Sequence, residues 1–288
     1  MATSTSLGRT HELDLPGGRI RYHDTGDGPP IVFVHGLLVN ADLWRRVVPD
    51  IAAAGYRCLA PDWPLGAHEI PVPAADLTPT GIADLIAAFL ERLDLRDVTV
   101  VANDTGGAIT QVLLSRDRSR IGRVVLASVD NYENFLPQPF TVLPWLARIP
   151  GSIRPLTESL RWRALHRLPI AFGWVVKRPV PAEIADSYLL PSRRSAAIRK
   201  DLRRLLPTLN RRYTLEAARS FGAIDIPVLV VWAAQDKLFP VAGAERLARE
   251  FPNATLRLID DSYTFLPEDQ PELLSGAILE FTRLHATP

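Results

Sequence analysis

Continuous apolar runs alternate with stretches of helical periodicity along this chain, and that alternation limits the fold more than any other feature. The runs "IVFVHG", "YRCLAPDW", "DVTVVAND" and "RVVLASVD" have the length and β-branched content of strands, the first apolar along its whole length as a central parallel strand is. Between them, "ADLWRRVVPDIAAAG", "LTPTGIADLIAAFLERLDL" and "GGAITQVLLSRD" read as helices. The first of these ends at Gly55; the second has Thr78 as its cap and Pro79 in its first turn, where the missing donor costs nothing. Such alternation specifies an α/β fold with a mostly parallel central sheet and helices on both faces. Ahead of it, "HELDLP" and "RIRYHD" flank Gly17 and Gly18 and read as strands separated by a turn.

From Asn131 to about Gly222 the pattern changes to short helical pieces broken by prolines. It then resumes with "IPVLVVWAAQDKLFP", the helix "VAGAERLAREF", the strand "ATLRLID" and the closing helix "PELLSGAILEFTRL". The expected organisation is a core formed by residues 1–130 and 223–288, with a helical cap, residues 131–222, inserted between two strands of one sheet. Charge sets the insertion apart: residues 148–219 hold 16 Lys and Arg against 5 Asp and Glu, while the remainder is acidic. Either this is a solvated helical surface attracted to an acidic core, or a basic lid steers an anionic substrate toward a cleft below it.

The overall net charge of +1 gives no reason to expect nucleic acid or an acidic membrane as partner. The first residues, "MATSTSLGRTHELDLPGG", lack the apolar core of a secretory signal, and no 18-residue apolar run occurs, so the expectation is a cytoplasmic protein. Cys58 is the single cysteine and reads as a small buried hydrophobe rather than a nucleophile. The histidines are scattered, no phosphate-binding or dinucleotide fingerprint is present, and neither a metal nor a cofactor is expected.

The chemistry concentrates at "VVANDTGGAI", where a strand meets two glycines and the corner residue is Asp104. A strand that turns straight into a helix needs small neighbours, here Ala102, Gly106 and Gly107, because the apex is strained and the helix packs closely on the sheet. This corner resembles the nucleophile elbow of the α/β-hydrolase superfamily. The resemblance extends to "VFVHGLLVNADLW", which is similar to the family's His-Gly loop, to "VVWAAQDKLFP", which matches the loop presenting the acid of the triad, and to "LIDDSYTFLPEDQPELLSGAILEF", the segment that normally carries the catalytic histidine. It implies that Asp104 is the nucleophile, that Asp236 is the acid, and that the amides of Leu37 and Thr105 form an oxyanion hole beside His35 and Gly36. An aspartate at the elbow resembles haloalkane dehalogenases and epoxide hydrolases, in which the carboxylate attacks carbon and a histidine-activated water cleaves the resulting ester.

The sequence departs from that pattern at informative places. Thr264, preceded by Tyr263, stands where the histidine belongs, and a threonine hydroxyl takes no proton from water near neutral pH. Among the six histidines, His68 in "DWPLGAHEIP" is the better replacement base, and His35 is a structural part of its loop. The halide-holding tryptophan and loop donor of haloalkane dehalogenases are replaced by Thr105 and Leu37, the arginine that follows the nucleophile in fluoroacetate dehalogenases is absent, and Leu38 replaces the proline of epoxide hydrolases. Tyr132, Tyr188 and Tyr213 are available as acids from the cap, and Asp130, ending "RVVLASVD", is an alternative acid able to raise the pKa of Asp104. The reading is an enzyme acting on a small organic molecule, hydrolase-like with Asp104 as nucleophile. Its competitors are a non-hydrolytic proton-transfer enzyme using Asp104 as acid or base, and a non-catalytic ligand-binding protein.

Overall fold

A computed structural model describes residues 5–286. Eight strands form one sheet: β1 (Arg9–Leu15), β2 (Gly18–Thr25), β3 (Pro30–Val34), β4 (Arg57–Pro61), β5 (Val98–Asp104), β6 (Ile121–Val129), β7 (Val228–Ala233) and β8 (Ala254–Ile259). Their order across the sheet is β1-β2-β4-β3-β5-β6-β7-β8. The first two make a hairpin, and β2 runs antiparallel to β4. Every later pairing is parallel. The apolar run Ile31–Val34 lies in β3, flanked by β4 and β5 and wholly buried, because a strand between two parallel neighbours has helices over both of its faces.

The helices follow from local chemistry. Thr78 caps the helix Pro79–Arg92 by accepting from the Gly81 amide at 3.1 Å, and Pro79 takes the first position. The stretch "ADLWRRVVPDIAAAG", expected as one helix, is instead a single 3-10 turn at Ala41–Trp44 followed by the helix Val48–Ala53. Asn40 caps the turn by accepting from the Asp42 amide, and Pro49, which cannot donate to a preceding turn, sits where a new helix starts. Cys58 is buried and its thiol is pushed up to about 12 by desolvation, which suits a small hydrophobe and not a nucleophile.

Residues 131–222 contribute short helices and no strand to the sheet. These helices are Leu143–Arg148, Ile153–Ser159, Ala182–Arg194, Ala196–Leu205 and Arg212–Ala218. Buried polar contacts tie this segment to the core. Tyr188 donates to Glu268 at 2.9 Å, and Glu268 also pairs with Arg45 at 2.6 Å. Ser187 donates to Asp42, while the amide of Lys177 donates to Asp269 at 2.8 Å. Among the described residues no helix is long and apolar enough to cross a membrane.

Candidate active site

All the loops that leave the carboxyl ends of β3, β5, β6, β7 and β8 meet at one edge of the sheet, the place where open α/β sheets build their sites. Asp104 closes β5 and opens the helix Thr105–Arg116 with φ 55° and ψ −132°, a left-handed conformation that strains a residue bearing a side chain. Close packing holds it there. A Cβ on Gly106 would meet the backbone of Val34 and His35, and one on Gly107 would drive into the Val129 side chain. Gly36 is equally constrained, because a side chain there would occupy the space of the Asp104 carboxylate. The small residues read from the sequence thus permit both the sharp turn and the approach of the β3 loop to the corner.

The Leu37 amide donates to Asp104 Oδ2 at 3.1 Å. The Thr105 amide also bears on this carboxylate, so the two donors expected in an oxyanion hole converge on the aspartate itself. Burial nevertheless raises the Asp104 pKa to about 6, against the lowering effect of those amides and helped by the charge of Asp236.

Asp130 lies just past β6 and is fully buried. It accepts from the Leu136 amide at 2.8 Å and from the Thr105 hydroxyl at 3.1 Å. Desolvation, then the charge of Asp104, pushes its pKa well up. Asp236, in the loop after β7, accepts at Oδ1 from the amides of Leu238 (2.9 Å) and Phe239 (3.0 Å) and from the Thr264 hydroxyl at 2.8 Å. Its Oδ2 is buried without a hydrogen bond, and burial raises its pKa. Charge links these buried carboxyl groups: that of Asp236 raises the pKa of Asp104, and those of Asp104 and Asp236 raise that of Asp130.

Thr264 is fully buried. Its carbonyl accepts from Asn103 Nδ2 at 2.8 Å, which anchors the loop after β8 directly to the strand that ends at Asp104. The hydroxyl points at Asp236, the carboxylate presented by the loop after β7. Tyr263 stands beside it but points to a different space, with Lys237 Nζ 4.3 Å from its ring centre.

His68 is not among the residues lining the cavity at Asp104. Its Nε2 lies 3.4 Å from Asp201 on the helix Ala196–Leu205 and its Nδ1 faces the Gly66 amide, so the structure gives it a partner there rather than a place at the cleft. His35 has both ring nitrogens engaged, Nε2 accepting from the Trp63 amide at 2.9 Å and Nδ1 against the Gly36 carbonyl at 2.9 Å. Burial lowers its pKa to about 4 and keeps it neutral. The cap tyrosines are occupied elsewhere: Tyr132 donates to Glu250, Tyr188 to Glu268, and Tyr213 accepts from Arg212. Sequence reasoning could not see these partners, which lie up to 118 residues away.

The cavity at Asp104 has a volume of about 70 Å³. Leu37, Leu136, Phe172, Val175, Leu238 and Phe265 contribute to an otherwise apolar wall, and its charged groups are Asp104 and Asp130. No lysine or arginine lines it, so the expected steering of an anion into this space finds no cation at the destination. Among the described residues no cluster of three His, Cys, Asp or Glu side chains is placed to hold a metal.

Comparisons with known proteins agree with this architecture. The profile of the alpha/beta hydrolase fold family matches residues 29–164 and 193–271. Haloalkane dehalogenase 1 of Mycobacterium tuberculosis is 30% identical over 235 residues, covering 78% of this chain and 74% of that protein. Haloalkane dehalogenase 2 of the same organism is 27% identical over 283 residues, 93% of each chain. Among solved structures, the haloalkane dehalogenase DatA from Agrobacterium tumefaciens superposes with a TM-score of 0.82 over 98% of this chain and 99% of its own, at 22% identity.

Proposed function

The chain belongs to the α/β-hydrolase family, as an enzyme of the haloalkane dehalogenase lineage, and from that premise we propose that Asp104 attacks an electrophilic carbon of a small uncharged organic molecule. The observation that carries the proposal is the combination at one residue: Asp104 lines an apolar cavity while the Leu37 amide holds its Oδ2. With Oδ2 pinned, Oδ1 forms the new bond to carbon, the bond from carbon to the leaving group breaks, and the leaving group departs with that electron pair. Oδ2 then becomes the carbonyl oxygen of an ester, already seated where charge develops if water attacks. A neutral substrate fits because an anion would be repelled by two carboxyl groups and find no cation in the wall.

Hydrolysis of that ester needs water deprotonated beside Asp236. The position belongs to Thr264, whose hydroxyl is committed to Asp236 and is no base near neutral pH. The proposed enzyme therefore forms the ester readily and releases it slowly. Burial, with the charge of Asp236 added to it, keeps the Asp104 pKa near the working range. Residues 131–222 act as the lid, closing the cavity with Leu136, Phe172 and Val175.

The test is intact-mass analysis after incubation with panels of epoxides, haloalkanes and activated esters. A persistent adduct mapped to Asp104, absent from Asp104→Asn, is the expected result. Product formation without adduct and without oxygen-18 entering Asp104 from labelled water overturns it. That outcome would select the second reading, proton transfer by Asp104, which rests on its pKa of about 6 being suited to acid–base work.

A further inference from the structure

On the outer side of Phe172 lies a second and larger concavity, with a volume of about 520 Å³. Phe172 lines both spaces, held by the rings of His166 at 5.3 Å and Tyr188 at 6.3 Å. The chemistry on its two sides is opposite. The inner cavity has carboxyl groups as its charged members, whereas Arg163, Arg167, Lys177, Arg178 and Lys237 line the outer one and no Asp or Glu does.

These cations are incompletely neutralised. Asp261, outside the lining, serves two of them, at 2.7 Å from Lys177 and in contact with Arg178, and Arg178 also has Asp269 at 4.0 Å. Arg163 has Asp186 only at 3.9 Å. Among the described residues Arg167 and Lys237 have no ion pair, and Lys237 rests against the Tyr263 ring. Between the cations the surface is apolar, with Val176, Val180, Ala182 and the Phe172 ring. His166, Arg167 and the run from Phe172 to Ala185 all fall within residues 165–192, the stretch that the family profile does not match.

We propose that this vestibule binds the anionic end of a small organic molecule, with Arg167 and Lys237 meeting the charge and Val176, Val180 and Phe172 covering the apolar body. A carboxylate, sulfate or phosphate on a short hydrocarbon or aryl frame satisfies both halves of the lining. Concavity argues for a small ligand, since a vesicle or a nucleic acid would meet the same cations on a convex or extended surface. The site stands apart from the role of Asp104, and its test reads binding rather than turnover.

The experiment is titration calorimetry at low salt with 4-phenylbutyrate, its neutral counterpart 4-phenylbutan-1-ol, and vesicles containing phosphatidylglycerol. The expected result is one saturable butyrate site, at least tenfold tighter than the alcohol and weakened by added salt. Affinity should fall at least tenfold in the double variant Arg167→Ala/Lys237→Ala, and also in Ala182→Trp, which fills the apolar floor without removing charge, but stay unchanged in Asp104→Asn. Equal affinity for acid and alcohol, undiminished binding in the double variant, absence of saturable binding, or binding to vesicles alone would overturn the proposal.

Discussion

The corner at the end of β5 and the corner at the end of β8 stand side by side in this molecule, and they have fared differently. At the first, every constraint of a presented carboxylate is in place: positive φ at Asp104, close backbone approach at Gly36, Gly106 and Gly107, and an amide aimed at Oδ2. At the second, the backbone is equally well anchored, through Asn103 to the Thr264 carbonyl, but the side chain satisfies a carboxylate and offers no base. The difference teaches that scaffold and reactivity are separable. Hydrogen bonds that position a loop stabilise the fold whatever side chain the loop presents.

The sharpest way to break the contrast is to return an imidazole to the second corner. In the proposed reading, Thr264→His supplies the missing general base, with Nδ1 donating to Asp236 and Nε2 free to take a proton from water. General-base catalysis contributes on the order of 10² to 10⁴ in rate, so adduct decay should accelerate by about that factor while adduct formation changes little. Decay rates come from mass spectra recorded after excess reagent is removed. An adduct as persistent in Thr264→His as in the parent would show that slow release has another cause.

A change of pH tests the first corner twice, with opposite signs. Nucleophilic attack needs the ionised carboxylate, so adduct formation should fall about tenfold per unit below the Asp104 pKa of about 6 and level off above it. Stability should move the other way. The folded pKa lies above the ordinary value of 3.8, so between about pH 4 and 6 the folded state holds a proton that the unfolded state has lost. Stability therefore decreases as pH rises through that window, by about 3 kcal/mol for a shift of this size. Denaturation profiles of the parent and of Asp104→Asn measure it, the variant being expected to show a flatter slope. A parent whose stability instead rises from pH 4 to 6 by the same margin as the variant would contradict a raised pKa.

How legible this was in the sequence depended on the range over which each feature is decided. The strands of the sheet, the Thr78 cap and the Asp104 turn are local: apolar runs, a side-chain oxygen before a proline, and two glycines after a strand fix them over a few residues. The carboxyl-end placement of Asp130, Asp236 and Thr264 followed from their order among the strands. Partner choice did not. His68 looked available in "DWPLGAHEIP", yet its companion is Asp201, supplied by a cap helix 133 residues later. The tyrosines of the cap read as free hydroxyls until Glu250 and Glu268 were in place beside two of them. The clustering of basic residues in the cap was plain in the sequence, whereas only the folded chain showed that several line a vestibule outside Phe172 and none reaches Asp104.

The smallest expected effect sharpens what the threonine itself does. Thr264→Val keeps the shape and removes only the hydroxyl that donates to Asp236 Oδ1, leaving that oxygen with the Leu238 and Phe239 amides. A hydrogen bond to a carboxylate contributes about 1.5–3 kcal/mol, and two donors remain, so a loss of about 1–2 kcal/mol is expected. The hydroxyl favours the charged form of Asp236, so the loss should be greatest where that carboxyl group is ionised and should shrink as pH falls through its titration. Adduct formation at Asp104 should be unaffected, since the valine changes neither the Leu37 amide nor the cavity wall. If Thr264→Val instead stopped adduct formation while folding as stably as the parent, the hydroxyl would be part of the chemistry, and the two corners would have to be regarded as one reacting unit rather than as a retained half and a lost half.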